Sequence, residues 1–199
     1  MPKTRPLSDI LLERDIQAIR DVLQKFQDAY TRRDVRTVDS FIEQLFLLDN
    51  DLLIIGTGAN EWCQGMEEAR KLFVDDWEYW GDLCLDLPDA KIVVEGTAGW
   101  VAVQGTVTKT IEEDTFLDAM FEQLREQQEQ QETPRARAFN LLRSTADALF
   151  ETGKGDLFVW PFRFSAVLVK QAEKWLFTQL HFSFPTTRCP DVRLDAPAK

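Results

Sequence analysis

Residues 174–185 read KWLFTQLHFSFP, and the stretch alternates along its whole length. In an extended strand successive side chains point to opposite faces. Trp175, Phe177, Gln179, His181 and Ser183 therefore fall on one side, and Leu176, Thr178, Leu180, Phe182 and Phe184 on the other. Neither side is simply polar. The pattern predicts a strand covered on both faces, by the domain's own helices on one and by another sheet or subunit on the other. The chain's only histidine, His181, lies here.

Upstream, residues 158–170 read as the strand before it, joined through the turn Gln171-Ala172-Glu173. Two more strands are expected at about 83–95 and 100–111, linked by Gly96-Thr97-Ala98-Gly99. Between the two pairs the composition changes. Residues 112–131 are rich in Glu and Gln, with Phe116, Met120, Phe121 and Leu124 as a narrow apolar stripe. Thr133-Pro134 breaks the run. A second helix follows over about 135–150, with Phe139, Leu142, Ala146 and Leu149 on one face, and Gly153 and Gly155 end it. The pair reads as a helical hairpin inserted over about 112–153, where a tight turn would serve. The apolar repeat is too short for a coiled coil.

The N-terminal half reads as helices. Ser8 or Asp9 is placed to cap a helix running to about Arg33, with Ile16, Ile19, Leu23, Phe26 and Tyr30 at helical spacing. Asp34 is placed to cap a second, shorter helix with Val35, Val38, Phe41, Ile42 and Leu45 inward. A turn at 47–51, a short strand at 52–55 and a loop at 56–60 lead to a third helix from Met66 to about Trp80, stopped by Gly81. Residues 1–7 and 186–199 read as tails. The order predicts one α+β domain over 8–185, with N-terminal helices packed on a curved, mostly antiparallel sheet.

The bulk numbers narrow the function. The chain has 199 residues, 44% hydrophobic and 11% aromatic, enough for a substantial core. The net charge of −11 argues against non-specific binding to nucleic acid or anionic membranes, which need a basic surface. The apolar runs at 45–48 and 52–55 are far too short to span a bilayer, and the first ten residues lack the apolar core of a secretory signal. Three widely spaced cysteines, Cys63, Cys84 and Cys189, fit reduced thiols in a cytoplasmic protein. One histidine and no Cys-x-x-Cys argue against a zinc site, and no cofactor is expected.

In three places the chain resembles the SnoaL-like branch of the nuclear transport factor 2-like superfamily, which also holds ketosteroid isomerases and the association domain of calcium/calmodulin-dependent kinase II. These are residues 26–34 with the following helix, the segment IGTGANEWCQG at 55–65 leading into a helix, and KWLFTQLHFS at 174–183. The resemblance covers about 12–110 and 157–185, and the hairpin departs from it. It implies a cone-shaped α+β fold in which curled sheet and helices enclose a pocket, with a homodimer through the open back of the sheet. It does not imply one activity, so function is argued from the site.

A steroid-isomerase mechanism needs a carboxylate base, and a tyrosine with a protonated acid to hold the enolate oxygen. Aligned without gaps, this chain has Phe26 in the tyrosine's place, Gly56 in the base's and Ser165 near the second acid. Tyr30 is one turn from Phe26. Asp76, beside Trp77 and Trp80, is a candidate acid or base or a solvated helix residue, as are the paired Asp75 and the turn residues Asp49 and Asp51. His181 and Ser183 share a strand face about 6.6 Å apart. They are either a nucleophile pair lacking a third member or polar groups at a dimer contact. Arg163 and Ser165, alternating with Phe162 and Phe164, are placed to clamp an anion or to pair across the sheet.

Six tryptophans suit indole walls around a flat or apolar ligand. The expected site is therefore Phe26, Tyr30, Trp62, Trp77, Trp80, Arg163, Ser165, Thr178 and Phe182, with Tyr30, Asp76 or His181 as proton-handling residues. The first functional expectation is binding of a small apolar or aromatic organic molecule. The alternatives are an acid–base cyclase, isomerase or dehydratase, and a pure assembly module.

Overall fold

A computed structural model describes residues 6–49, 51–58, 61–129 and 133–186. Asn50, Ala59 and Asn60 of the expected loop, residues 130–132 where the first hairpin helix was expected to end, Cys189 and most of both expected tails lie outside the described residues. The chain divides into two compact units, one built from residues up to Val107 and from Trp160 onward, the other from Thr108–Val159.

The first unit opens with α1 (Leu7–Arg32), α2 (Val38–Leu45) and α3 (Gly65–Tyr79). Helix α1 buries Ile19, Val22, Leu23, Phe26, Ala29 and Tyr30, the stripe its periodicity predicts. It starts behind Pro6, so neither Ser8 nor Asp9 caps it; Ser8 Oγ instead donates to the Asp9 carboxylate at 3.3 Å. It ends at Arg33, which takes the left-handed conformation at φ 47° and donates its backbone N–H to the Ala29 carbonyl. The Asp34 carboxylate accepts from the Arg36 backbone N–H, capping a 3₁₀ turn at Val35–Thr37 that precedes α2; Val35, expected inward, lies in this turn ahead of the helix and is exposed.

Among the described residues the sheet has seven strands: β1 (Leu53–Ile55), β2 (Trp62–Gln64), β3 (Asp82–Leu85), β4 (Lys91–Glu95), β5 (Ala98–Thr110), β6 (Leu157–Gln171) and β7 (Lys174–Ser183). Their order is β2-β1-β7-β6-β5-β3, with β4 also on β5. Strands β1 and β2, β4 and β5, and β6 and β7 pair antiparallel, whereas β1 runs parallel to β7. The single strand expected over 83–95 is two strands. Pro88 offers no N–H to a ladder, and Leu87–Asp89 forms a 3₁₀ turn between them. Strand β2, to which the sequence reading assigned no element, pairs with β1.

The ambiguous last strand has a specific cause. Val167 faces Gln179, but the next β6 residue, Leu168, faces Phe177. Thr178 is the extra residue of a β-bulge. The bulge reverses the alternation halfway along β7, so Trp175 and Phe177 point into the core and so do Leu180 and Phe182. Leu176, Gln179, His181 and Ser183 fall on the open face. The expected division into two strictly alternating, half-apolar faces is corrected accordingly: one face is apolar throughout.

That inner face meets the helices in an aromatic core centred on Phe26. Its ring lies 4.9 Å from Tyr30, 5.4 Å from Phe164, 5.6 Å from Phe177 and 5.7 Å from Phe41, centroid to centroid. These are the spacings at which offset and edge-on ring pairs attract.

The second unit contains α4 (Glu113–Glu129) and α5 (Pro134–Thr152). Thr133 caps α5 by accepting from the Ala136 N–H, and Pro134 sits at its first position, where no N–H is needed. The two helices bury a small cluster of Met120, Leu124 and Ala148.

Candidate functional site

Helix α1 carries Tyr30 one turn beyond Phe26, and α3 carries Asp76 and Trp77 on its inner face. The Tyr30 hydroxyl donates to Asp76 Oδ2 at 2.7 Å, with both side chains buried. Asp75, its neighbour in sequence, points to solvent. Burial is the main force on the Asp76 carboxyl and pushes it up to about 7. The Tyr30 hydrogen bond opposes that rise, and the negative charges of Glu61 and Asp75 add to it. Burial, then the Asp76 charge, hold the Tyr30 phenol well above its ordinary value. The phenol therefore stays a donor, while the carboxyl exchanges a proton near neutrality. That is the protonation behaviour a general acid or base needs.

Aromatic rings wall this pair. Trp77 and Trp80 each stand edge-on to Tyr30 at 6.2 Å. The Trp77 indole N–H is buried without a partner among the described residues, an arrangement that calls for an explanation in a native fold. Trp80 is half-buried and also packs against Phe162 at 5.6 Å and the exposed Phe184 at 5.8 Å. These rings lead from the surface to the Tyr30 ring. Arg33 fixes Trp80 by donating to its backbone carbonyl at 2.6 Å while pairing with Asp82 at 3.0 Å.

Glu61 was missing from the sequence expectations. Its half-buried carboxylate acts by charge on both Tyr30 and Asp76 and accepts from the Gly58 N–H at 2.7 Å. A Cβ on Gly56 would stand 2.1 Å from a Glu61 carboxylate oxygen, and one on Gly58 2.7 Å from the other. The glycines make room for a folded-back acid. The sequence signal was two glycines three and five residues ahead of a carboxylate.

The other expected residues lie elsewhere. Arg163, Ser165, His181 and Ser183 share the open face, with Ser165 paired to His181 and Arg163 to Ser183 across β6 and β7. With Lys91 and Gln104 they line a depression of about 620 Å³, which Asp86 and Asp89 also border. Trp62 is 59% exposed on β2, Thr178 is the bulge residue, and Phe26 and Phe182 are core. The structure thus joins Phe26, Tyr30, Asp76, Trp77, Trp80 and Phe182 in one aromatic interior. It gathers Arg163, Ser165 and His181 at a second place and leaves Trp62 apart.

Cys63 and Cys84 are free thiols. Among the described residues no three His, Cys, Asp or Glu side chains group to hold a metal ion, and no helix is long and apolar enough to cross a membrane.

Solved structures share this architecture. A nuclear transport factor 2-like superfamily protein from Salmonella enterica is similar over 89% of this chain and 96% of its own, with 14% identity and a TM-score of 0.57. A protein with a cystatin-like fold from Novosphingobium aromaticivorans is similar over 92% of this chain and 89% of its own, with 9% identity and a TM-score of 0.56. The association domain of C. elegans CaMKII is similar over 86% of this chain and 97% of its own, with 13% identity and a TM-score of 0.51. At these identities the likeness establishes the fold. No curated protein sequence matches the chain. The family model for the SnoaL-like domain matches residues 19–147, more than half of the chain and including α4 and most of α5. The chain belongs to the SnoaL-like domain family, within the nuclear transport factor 2-like fold.

Proposed function

We propose that the protein binds a small, largely apolar organic molecule in its aromatic interior, with Tyr30 and Asp76 engaging one oxygen of the ligand. The observation that carries this reading is the buried 2.7 Å hydrogen bond between them, in a ring-walled interior with an unpartnered Trp77 N–H close by. Apolar walls with a few convergent polar groups suit a small-molecule site. Trp80 and Phe184 are the rings that move to admit the ligand. Titration of tryptophan emission with a panel of aromatic ketones and phenols tests this. Quenching is expected, with binding weakened about tenfold in Tyr30→Phe, the scale of one buried hydrogen bond. An emission that no probe alters, or equal binding by Tyr30→Phe, overturns it.

The second reading is acid–base catalysis at the same place, favoured by the Asp76 carboxyl at about 7. It predicts a break near pH 7 in any turnover and its loss in Asp76→Asn. Turnover unchanged in that variant removes Asp76 from the mechanism.

In both readings residues 8–185 act as one SnoaL-like domain elaborated by the hairpin, and the chain works as a homodimer through the open face of the sheet. Val93 and Trp100 support that contact. They pair across β4 and β5, at 45% and 48% exposed. A Trp100→Glu protein of unchanged native mass counts against it.

A further inference from the structure

Charges of both signs border the depression on the open face of the sheet without meeting. Arg163 on β6, Lys91 on β4, and Asp86 and Asp89 at the 3₁₀ turn between β3 and β4 all line it, and none of the four makes an ion pair among the described residues. The charges are also sorted. On one side, Arg163 faces Ser183 and Ser165 faces His181 across β6 and β7. All four alternate with the buried Phe162, Phe164 and Phe182, so they project together from the open face. Cross-strand neighbours of this kind stand about 5 Å apart. This side offers a guanidinium, two hydroxyls and an imidazole, all able to donate to a carboxylate. On the other side, the Asp86 backbone N–H donates to the Gln104 carbonyl at 2.8 Å, which ties the acidic turn to β5. Asp89 stands in the same turn. Lys91 borders this side too, in register with Ala102, and two carboxylates against one ammonium leave it net acidic. Ala102 and Gln104 of β5 lie between the two sides.

We propose that the depression binds a small zwitterion with its charges at opposite ends, the carboxylate on Arg163, Ser165 and Ser183 and the ammonium on Asp86 and Asp89. A short peptide with free termini has this chemistry. The planar guanidinium of Arg163 matches a carboxylate with two parallel hydrogen bonds. Strand β5 lies between β6 and β3, so the two sides are two strand spacings apart, about 10 Å. Three extended residues span about that length. Gln104, between the ends, offers an amide donor and acceptor to the peptide bonds. A volume of about 620 Å³ suits a small molecule. A simple anion fits less well, because Asp86 and Asp89 repel it, and a simple cation leaves Arg163 unmatched. The aromatic interior is a separate place, under the other face of the sheet.

Calorimetric titration of the full chain with glycine, diglycine, triglycine and pentaglycine tests the proposal. Triglycine is expected to bind most tightly. Blocking either of its ends, as the C-terminal amide or the N-acetyl form, is expected to weaken binding about tenfold. Arg163→Gln is expected to bind triglycine and its amide alike, and Asp86→Asn with Asp89→Asn to bind triglycine and its N-acetyl form alike. A merely structural role for these residues would not erase one discrimination and keep the other. All three side chains are exposed, so the circular dichroism spectrum should be kept in both variants. Absence of binding by every peptide overturns the proposal, and so does a wild type indifferent to either blocked end. Binding by Trp100→Glu but not by the wild type would mean that a second copy fills the depression, and overturns it too.

Discussion

Phe26 on α1 and Phe139 on α5 sit in equally periodic helical stripes, and they meet opposite fates. Phe26 is sealed among six other rings, and Phe139 is mostly in solvent. Periodicity says that a helix has an apolar face; it does not say what covers that face. In the sheet unit the cover is the inner side of β6 and β7, built from Phe162, Phe164, Phe177 and Phe182. In the hairpin α4 offers only enough apolar surface for one side of α5. The first region covers its own apolar face. The second leaves Phe139, Leu142 and Leu149 of α5 exposed.

The contrast is broken most severely at its centre. Phe26→Ala removes the ring shared by α1, α2, α3 and the sheet, and is expected to cost roughly 3–5 kcal/mol of unfolding free energy. Urea denaturation measures it. A cost below about 1 kcal/mol would mean that the aromatic interior is loosely packed and that the two regions differ less than their burial implies.

The same interior holds a polar pair that an apolar core would exclude, and pH exposes its effect. The Asp76 carboxyl is near 3.8 when unfolded and about 7 when folded. Between those values the folded protein keeps a proton that the unfolded chain has released. This contribution is therefore fully present below pH 3.8, falls away as the pH rises to about 7, and is absent above it. Between pH 5 and 8 the wild type should lose roughly 3 kcal/mol more than Asp76→Asn, which still accepts from Tyr30 but does not titrate. Parallel pH profiles for the two proteins would show that Asp76 stays ionised in the fold.

How far the sequence announced this divides along the same line. The α+β order, the α1 stripe and the hairpin's two helices were legible because helical spacing and the Gly and Pro punctuation are local signals. The pairing of Tyr30 with Asp76 was not, since the two lie on separate helices and only packing brings them within 2.7 Å. Glu61 was hidden for the same reason. The bulge at Thr178 was misread because one inserted residue turns a single apolar face into two half-apolar ones. Pro88 lies inside the stretch expected as one strand, and its missing N–H divides that stretch into two.

The bulge allows a finer test. If Thr178 is the extra residue, deleting it restores strict alternation with Trp175, Phe177, Leu180 and Phe182 still inward. The deletion should cost less than about 2 kcal/mol, whereas deleting Leu176 turns Trp175 or Phe177 outward and should prevent folding. Thermal melts of the two proteins decide between them. Equal damage from both deletions would place the irregularity elsewhere in the strand.

The smallest effect belongs to the hairpin. Leu142 touches so little within its own chain that Leu142→Ser should change the unfolding free energy by no more than about 0.5 kcal/mol at high dilution. If a second copy covers this face, the two proteins diverge at high protein concentration, because a partner that binds only the folded state stabilises it by an amount that grows with the logarithm of its concentration. The wild-type midpoint should then rise with concentration more steeply than that of the variant. Equal slopes would leave the apolar face of α5 without a second copy to cover it. A large loss at high dilution would mean that Leu142 is buried within its own chain after all, and that the hairpin is as finished a core as the sheet.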